Sequence, residues 1–131
     1  MTPVDAIVLF AHGSRDPLWR TPMEAVAQCI RTQQPNVRVH CAYLELCAPD
    51  LPAVATEIIA ACAYPKRPTG QKALKIRIIP MFLGMGKHAR EDLPELVSQL
   101  RAEHPTVQFE IRSAVGEDPR VIALLADLAL H

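Results

Sequence analysis

Apolar residues recur along this chain in two alternating rhythms. Four short runs, Ala6 to Ala11, Val37 to Tyr43, Leu74 to Met81 and Val107 to Ile111, are rich in aliphatic residues and have the length of strands. The first is apolar throughout, as expected of a central parallel strand covered on both faces. Arg38, His40, Lys75 and Arg77 alternate with apolar neighbours in the second and third, which gives those strands a wetter side. Between the runs the spacing changes to three and four. Trp19, Met23, Val26, Ala27 and Ile30 trace one helical face. Leu51, Val54, Ala55, Ile58, Ile59 and Cys62 trace a second, and Leu93, Leu96, Val97 and Leu100 a third.

Each helix is announced by a carboxylate just ahead of a proline: Asp16-Pro17, Asp50-Leu51-Pro52, Asp92-Leu93-Pro94 and Asp118-Pro119. Asp accepts hydrogen bonds from the unpaired amides of a first turn, and proline has no amide to leave unpaired there. Asp92 with Glu95 also has the spacing of a capping box.

The order is βαβαβαβα, which implies a parallel sheet with right-handed crossovers. The simplest arrangement is a three-layer, flavodoxin-like α/β domain over residues 1–131, with strand order 2-1-3-4 and helices on both faces. Arg31, Pro35, Val37 and Val39 match Arg101, Pro105, Val107 and Phe109 at a constant offset. That echo suggests two βαβα units, about 1–63 and 74–131, or else a shared solution to the helix-to-strand turn. Tyr64 to Lys72 reads as a surface loop whose Lys66, Arg67 and Lys72 form a solvated face at the sheet's N-terminal edge.

Composition narrows the function. Lysine plus arginine equals aspartate plus glutamate, for a formal net charge of zero, and aromatics are 5% of residues. Neither a global positive field nor a base-stacking platform is available, so nucleic acid is not an expected partner. No apolar run approaches the ~18 residues of a membrane span, and Ala6 to Ala11 is too short for a signal segment. The expected location is the cytoplasm, with no membrane partner. Cys29, Cys41, Cys47 and Cys62 form no C-x-x-C pair and read as free thiols, with Cys29 and Cys62 on core-facing helix positions.

Three side chains stand just beyond the C-terminal ends of strands, where ligands bind in such sheets. They are His12 in Ala11-His12-Gly13-Ser14-Arg15, Glu45 in Tyr43-Leu44-Glu45-Leu46, and His88 in Gly84-Met85-Gly86-Lys87-His88. With order 2-1-3-4, strands one and three are neighbours whose connections leave in opposite directions. His12 and His88 would then face one another across a crevice. Neutral imidazole is a good ligand for late divalent metals, and its pKa near ~6.5 lets it accept protons around neutrality. Glu45 adds a carboxylate that can take a proton or steady a cationic histidine. Arg15, Arg20, Lys87 and Arg90 gather positive charge at this edge, which favours a polycarboxylate or phosphate ligand. The glycines at 84 and 86 suggest a lid, with Met81 and Met85 as packing or lid residues. Ser14 lies in no G-x-S-x-G elbow. Neither a P-loop nor a G-x-G-x-x-G is present, so nothing points to ATP or a dinucleotide.

Leu9-Phe10-Ala11-His12-Gly13-Ser14-Arg15-Asp16, Tyr43-Leu44-Glu45, and Pro80 to His88 followed by Asp92-Leu93-Pro94 together resemble the small sirohydrochlorin cobaltochelatase family. That family belongs with the class II chelatases, which include sirohydrochlorin ferrochelatases and nickel chelatases. The resemblance implies ATP-independent insertion of a divalent metal (cobalt, iron or nickel) into a sirohydrochlorin-type tetrapyrrole, in cobalamin or sirohaem biosynthesis. The metal would be a substrate, with no tightly bound cofactor. His12 and His88 would bind it and assist pyrrole deprotonation, with Glu45 in support. Ser14, Arg15, Gly84, Met85, Gly86, Lys87 and Arg90 would contact the tetrapyrrole. A homodimer would enclose a macrocycle wider than one small domain covers. Two other readings stand beside it: a phosphohistidine carrier domain of a mannose-type sugar phosphotransferase system, which leaves His88 unexplained, and a non-catalytic metal or tetrapyrrole carrier.

Overall fold

The computed structural model describes residues 4–62 and 73–131. Four parallel strands form one sheet: β1 (Ala6–Ala11), β2 (Arg38–Tyr43), β3 (Lys75–Pro80) and β4 (Gln108–Ile111), in the order β2-β1-β3-β4. This is the expected order, and it makes β1 and β3 the central pair, with Ala6 opposite Ile76 and Phe10 opposite Pro80. The expected loop 64–72, with Lys66, Arg67 and Lys72, lies outside the described residues.

Period-two alternation divides the apolar residues between two faces. Val8, Phe10, Ile76, Ile78 and Phe109 meet α2 (Leu51–Cys62) and α3 (Lys87–Glu103) through Val54, Ile58, Leu93, Val97 and Leu100. On the other face Leu9, Ala11, Val39, Cys41 and Tyr43 meet α1 (Thr21–Gln33) through Ala27, Met23 and Ile30. Cys29, expected to face the core, is exposed on α1. It lies outside the stripe formed by Met23, Ala27 and Ile30, which follows a spacing of four and three.

Three of the four predicted caps form. Asp16 accepts from the Leu18 amide at 3.0 Å, Asp50 from Ala53 at 2.9 Å and Asp118 from Arg120 at 2.8 Å. Asp16 opens a 3-10 turn, Pro17–Arg20, from which α1 continues.

The fourth does not form, because α3 begins six residues earlier than the Asp-x-Pro signal indicates. Gly86 is its N-cap, the Arg90 amide donates to the Gly86 carbonyl at 3.0 Å, and Pro94 lies inside the helix. An internal proline deletes one helical hydrogen bond, that to the Arg90 carbonyl. Arg90 is exposed, so water can replace the missing partner, while Leu93, Val97 and Leu100 hold the helix to the sheet.

The echo at offset 70 has a structural counterpart. Arg31 Nη2 donates to the Val39 carbonyl at 2.8 Å, and Arg101 Nη2 donates to the Phe109 carbonyl at 2.8 Å. The preceding turns match as well: Gln34 bonds to Ile30 and Val37 to Gln34, as His104 bonds to Leu100 and Val107 to His104.

The last helix, α4 (Pro119–Leu130), departs from a closed three-layer plan. None of its residues is buried, and Ile122, Leu124, Leu125, Leu128 and Leu130 are exposed. No described helix of the protein is long and apolar enough to cross a membrane.

Candidate active site

The pairing of β1 with β2 continues beyond the last strand residues. The Leu44 amide donates to the Ala11 carbonyl at 2.9 Å and the Glu45 amide to the His12 carbonyl at 3.0 Å. This backbone bond brings the two side chains together, and His12 Nε2 lies 3.4 Å from Glu45 Oε1. Both remain about half exposed, 53% and 56%, so neither is sealed from solvent.

Two glycines permit the close packing of these loops. Gly13 has φ 103, a left-handed conformation that side chains disfavour, and a Cβ there would lie 1.8 Å from the Glu45 carbonyl oxygen. Gly116 packs against Leu83, where a Cβ would meet the carbonyl oxygen at 1.8 Å, and its amide donates to the Phe82 carbonyl at 2.9 Å. Gly116 thus fastens the loop between β3 and α3 to the segment leading into α4. Nothing lies within 4 Å of a Cβ built at Gly84 or Gly86.

His12, Leu44, Glu45, Phe82, Gly84, Gly86, Lys87, His88, Ala89 and Asp92 line one cleft of about 440 Å³. The two histidines therefore share a cavity, reaching it from β1 and from the first turn of α3. Of the residues singled out in the sequence, Glu45, Gly84, Gly86 and Lys87 line it too. Ser14, Arg15, Met85 and Arg90 do not. The Ser14 hydroxyl accepts from the Asp16 amide at 3.1 Å, and Met85 packs against the core. Arg15 and Arg90 are exposed outside the lining. Arg20 faces away from the cleft, its guanidinium 5.6 Å from the centre of the Tyr43 ring. The cationic rim is accordingly thinner at the cleft itself than the sequence suggests, with Lys87 its one lining member.

Asp92 is the lining residue whose role sequence reasoning missed. Its spacing of four from His88 puts it on the same face of α3, a signal masked by the capping pattern Asp92-Leu93-Pro94. Leu44, Phe82 and Ala89 supply the apolar part of the wall. No group of three or more metal-ligating side chains is assembled among the described residues.

A 2-1-3-4 parallel sheet with two imidazoles lining one cleft beyond its central strands has the frame of a chelatase-like α/β domain. The chain belongs to the CbiX family, whose model matches residues 6–130. It is similar to a sirohydrochlorin cobaltochelatase of Methanococcus aeolicus, 29% identical over 96% of this chain and 98% of that protein. A sirohydrochlorin ferrochelatase of Priestia megaterium is 27% identical over 95% of this chain, which spans only 43% of that relative. The crystal structure of a CbiX protein from Marinobacter aquaeolei VT8 matches with TM-score 0.73 and 27% identity, over 95% of this chain and 92% of that one. The sirohydrochlorin chelatase SirB of Bacillus subtilis subspecies spizizenii, solved with cobalt, shares the fold at TM-score 0.71 and 20% identity; this chain covers 49% of it.

Proposed function

We propose that this protein is a sirohydrochlorin chelatase, which exchanges two pyrrole protons of a sirohydrochlorin-type tetrapyrrole for one divalent metal ion. The observation that carries the reading is the shared cleft of His12 and His88, with a carboxylate 3.4 Å from the first. The names of the relatives support the same chemistry and mention both cobalt and iron forms of the enzyme. Cobalt leads toward cobalamin and iron toward sirohaem, and nickel is a third substrate to test. In each case the metal is consumed, not retained.

Insertion requires the ring to lose two protons as the metal enters, so the site must receive protons while holding a cation. Neutral imidazoles do both: a free ring nitrogen ligates the metal before transfer and accepts a proton afterwards. His12 and His88, which share the cleft, take these roles. Glu45 holds charge beside His12 and passes its proton to solvent, which its half-exposed carboxylate reaches directly. Lys87 and the amides at the N-terminus of α3 favour the carboxylate arms of the substrate, with Arg15 and Arg90 meeting those arms beyond the cleft. Gly84 and Gly86 leave room for the macrocycle over the loop that also carries Met85, with Ser14 meeting it beyond the cleft lining.

The reading extends to a homodimer. A cleft of about 440 Å³ suits part of such a macrocycle. An almost wholly apolar helix is stable in water only when covered. The exposed α4 is the face that a second copy would cover, and it starts beside the cleft loop at Gly116. The two βαβα units, 1–63 and 74–131, remain part of the proposal, supported by the matched arginine bonds.

The test is the loss of metal-free sirohydrochlorin absorbance with cobalt, iron or nickel supplied separately. Acceleration over a no-protein control is expected with at least one metal. Binding of the tetrapyrrole without acceleration would leave a carrier. Phosphorylation of His12 by a phosphohistidine donor would favour the phosphocarrier reading, which assigns nothing to His88.

A further inference from the structure

Around the cleft the electrostatics conflict. Lys87, the N-terminal amides of α3 and the exposed Arg15 and Arg90 nearby all attract the tetrapyrrole's carboxylates, and all repel an incoming divalent cation. Only two lining residues oppose them, Glu45 and Asp92. Glu45 is already engaged 3.4 Å from His12. Asp92 neither caps its helix nor makes a hydrogen bond or ion pair among the described residues, and it is exposed.

Its place on α3 gives it a partner of another kind. Residues four apart on a helix have Cβ atoms about 5–6 Å from one another on one face, the spacing by which helical side chains grip a metal in pairs. His88 and Asp92 stand in that relation, and both line the cleft. Asp92 also borders a neighbouring cleft of about 310 Å³ together with Leu44, Glu95, Leu96 and Gln99. Among the described residues its lining carries a second carboxylate and no lysine or arginine, so a cation can reach Asp92 without passing Lys87.

We propose, resting on the chelatase reading, that Asp92 is the metal-entry residue of the site. It captures the divalent ion on the flank bounded by Glu95 and hands it to His88, while the tetrapyrrole enters past Lys87. The two substrates of opposite charge thus use separate approaches. No bond within the ring changes at this step; the aquated ion exchanges water for carboxylate and then for imidazole.

Steady-state kinetics of Asp92→Asn test this, varying cobalt at saturating sirohydrochlorin and then the reverse. The KM for cobalt is expected to rise roughly five- to tenfold, with kcat at saturating cobalt and the KM for sirohydrochlorin within about twofold of wild type. Asp92→Glu should restore most of the cobalt dependence. An unchanged KM for cobalt overturns the proposal, and so does a fall in kcat together with a rise in both KM values, the signature of a structural role. A wild-type protein that does not accelerate insertion sinks the chelatase reading instead. Calorimetric titration of the chain with cobalt alone then judges Asp92 directly: weaker binding by Asp92→Asn upholds it, and equal binding overturns it.

Discussion

His12 and Glu45 meet across the β1–β2 junction because the Glu45 amide is bonded to the His12 carbonyl, which leaves imidazole and carboxylate 3.4 Å apart. The pair is built by strand register, not by a flexible loop. His12→Ala should reduce metal insertion roughly a hundredfold or more, and Glu45→Gln roughly tenfold. Both side chains are half exposed, so thermal unfolding should move little in either variant. A folded His12→Ala protein inserting metal at the wild-type rate would remove the basis of the mechanism.

Gly13→Ala should harm both stability and activity. The new Cβ would collide with the Glu45 carbonyl oxygen in a backbone of φ 103. Left-handed strain and overpacking together cost about 3 kcal/mol, and relief requires Glu45 to move from His12. Gly84→Ala, with open space around its Cβ, should change stability by no more than about 0.5 kcal/mol. Urea denaturation of the two variants compares them directly.

The acid limb of stability should depend on Glu110. Arg77 Nε donates to Glu110 Oε2 at 2.7 Å, and Arg112 Nε to Oε1 at 3.0 Å. The Arg77 hydrogen bond is the chief cause holding this carboxyl below its ordinary value, while burial opposes it. A depressed carboxyl stabilises the fold above the unfolded-state pKa, near ~4.3, and that contribution disappears as pH falls through the lower folded value. Glu110→Gln should therefore be less stable than wild type at pH 7, with the gap closing in acid. A gap unchanged at low pH in urea midpoints would refute the assignment.

If α4 is covered by a second copy, a charge placed on it should separate the pair. Leu125→Asp with Leu128→Asp is expected to give a monomer by light scattering, without unfolding, since neither residue is buried in the single chain. A wild-type protein that is monomeric at high concentration would count against the homodimer.

The sheet was legible in the sequence because aliphatic runs of strand length alternate with helical spacing. With β1 and β3 placed at the centre, the topology brings residues just past their ends together, and His12 and His88 line one cleft. The start of α3 was not legible. Asp92-Leu93-Pro94 carries the local signs of a first turn, and only packing of Leu93, Val97 and Leu100 makes a helix through Pro94 worthwhile. The same local pattern hid Asp92 from the list of cleft residues. Gly116 was missed for another reason: its need for a bare Cα comes from Leu83, a residue 33 positions away in sequence. Arg15 and Arg20 lie close in sequence, but sequence proximity does not fix the direction of long side chains, and Arg20 turns to the Tyr43 ring.

The matched arginines grip Val39 and Phe109 near the beginnings of β2 and β4, the two outer strands, at the pole remote from the histidines. A sheet pinned along its floor in this way can have its ceiling remodelled piece by piece. Changes in the upper loops that suit a different ion or a differently substituted ring need not disturb the foundations on which the whole domain folds.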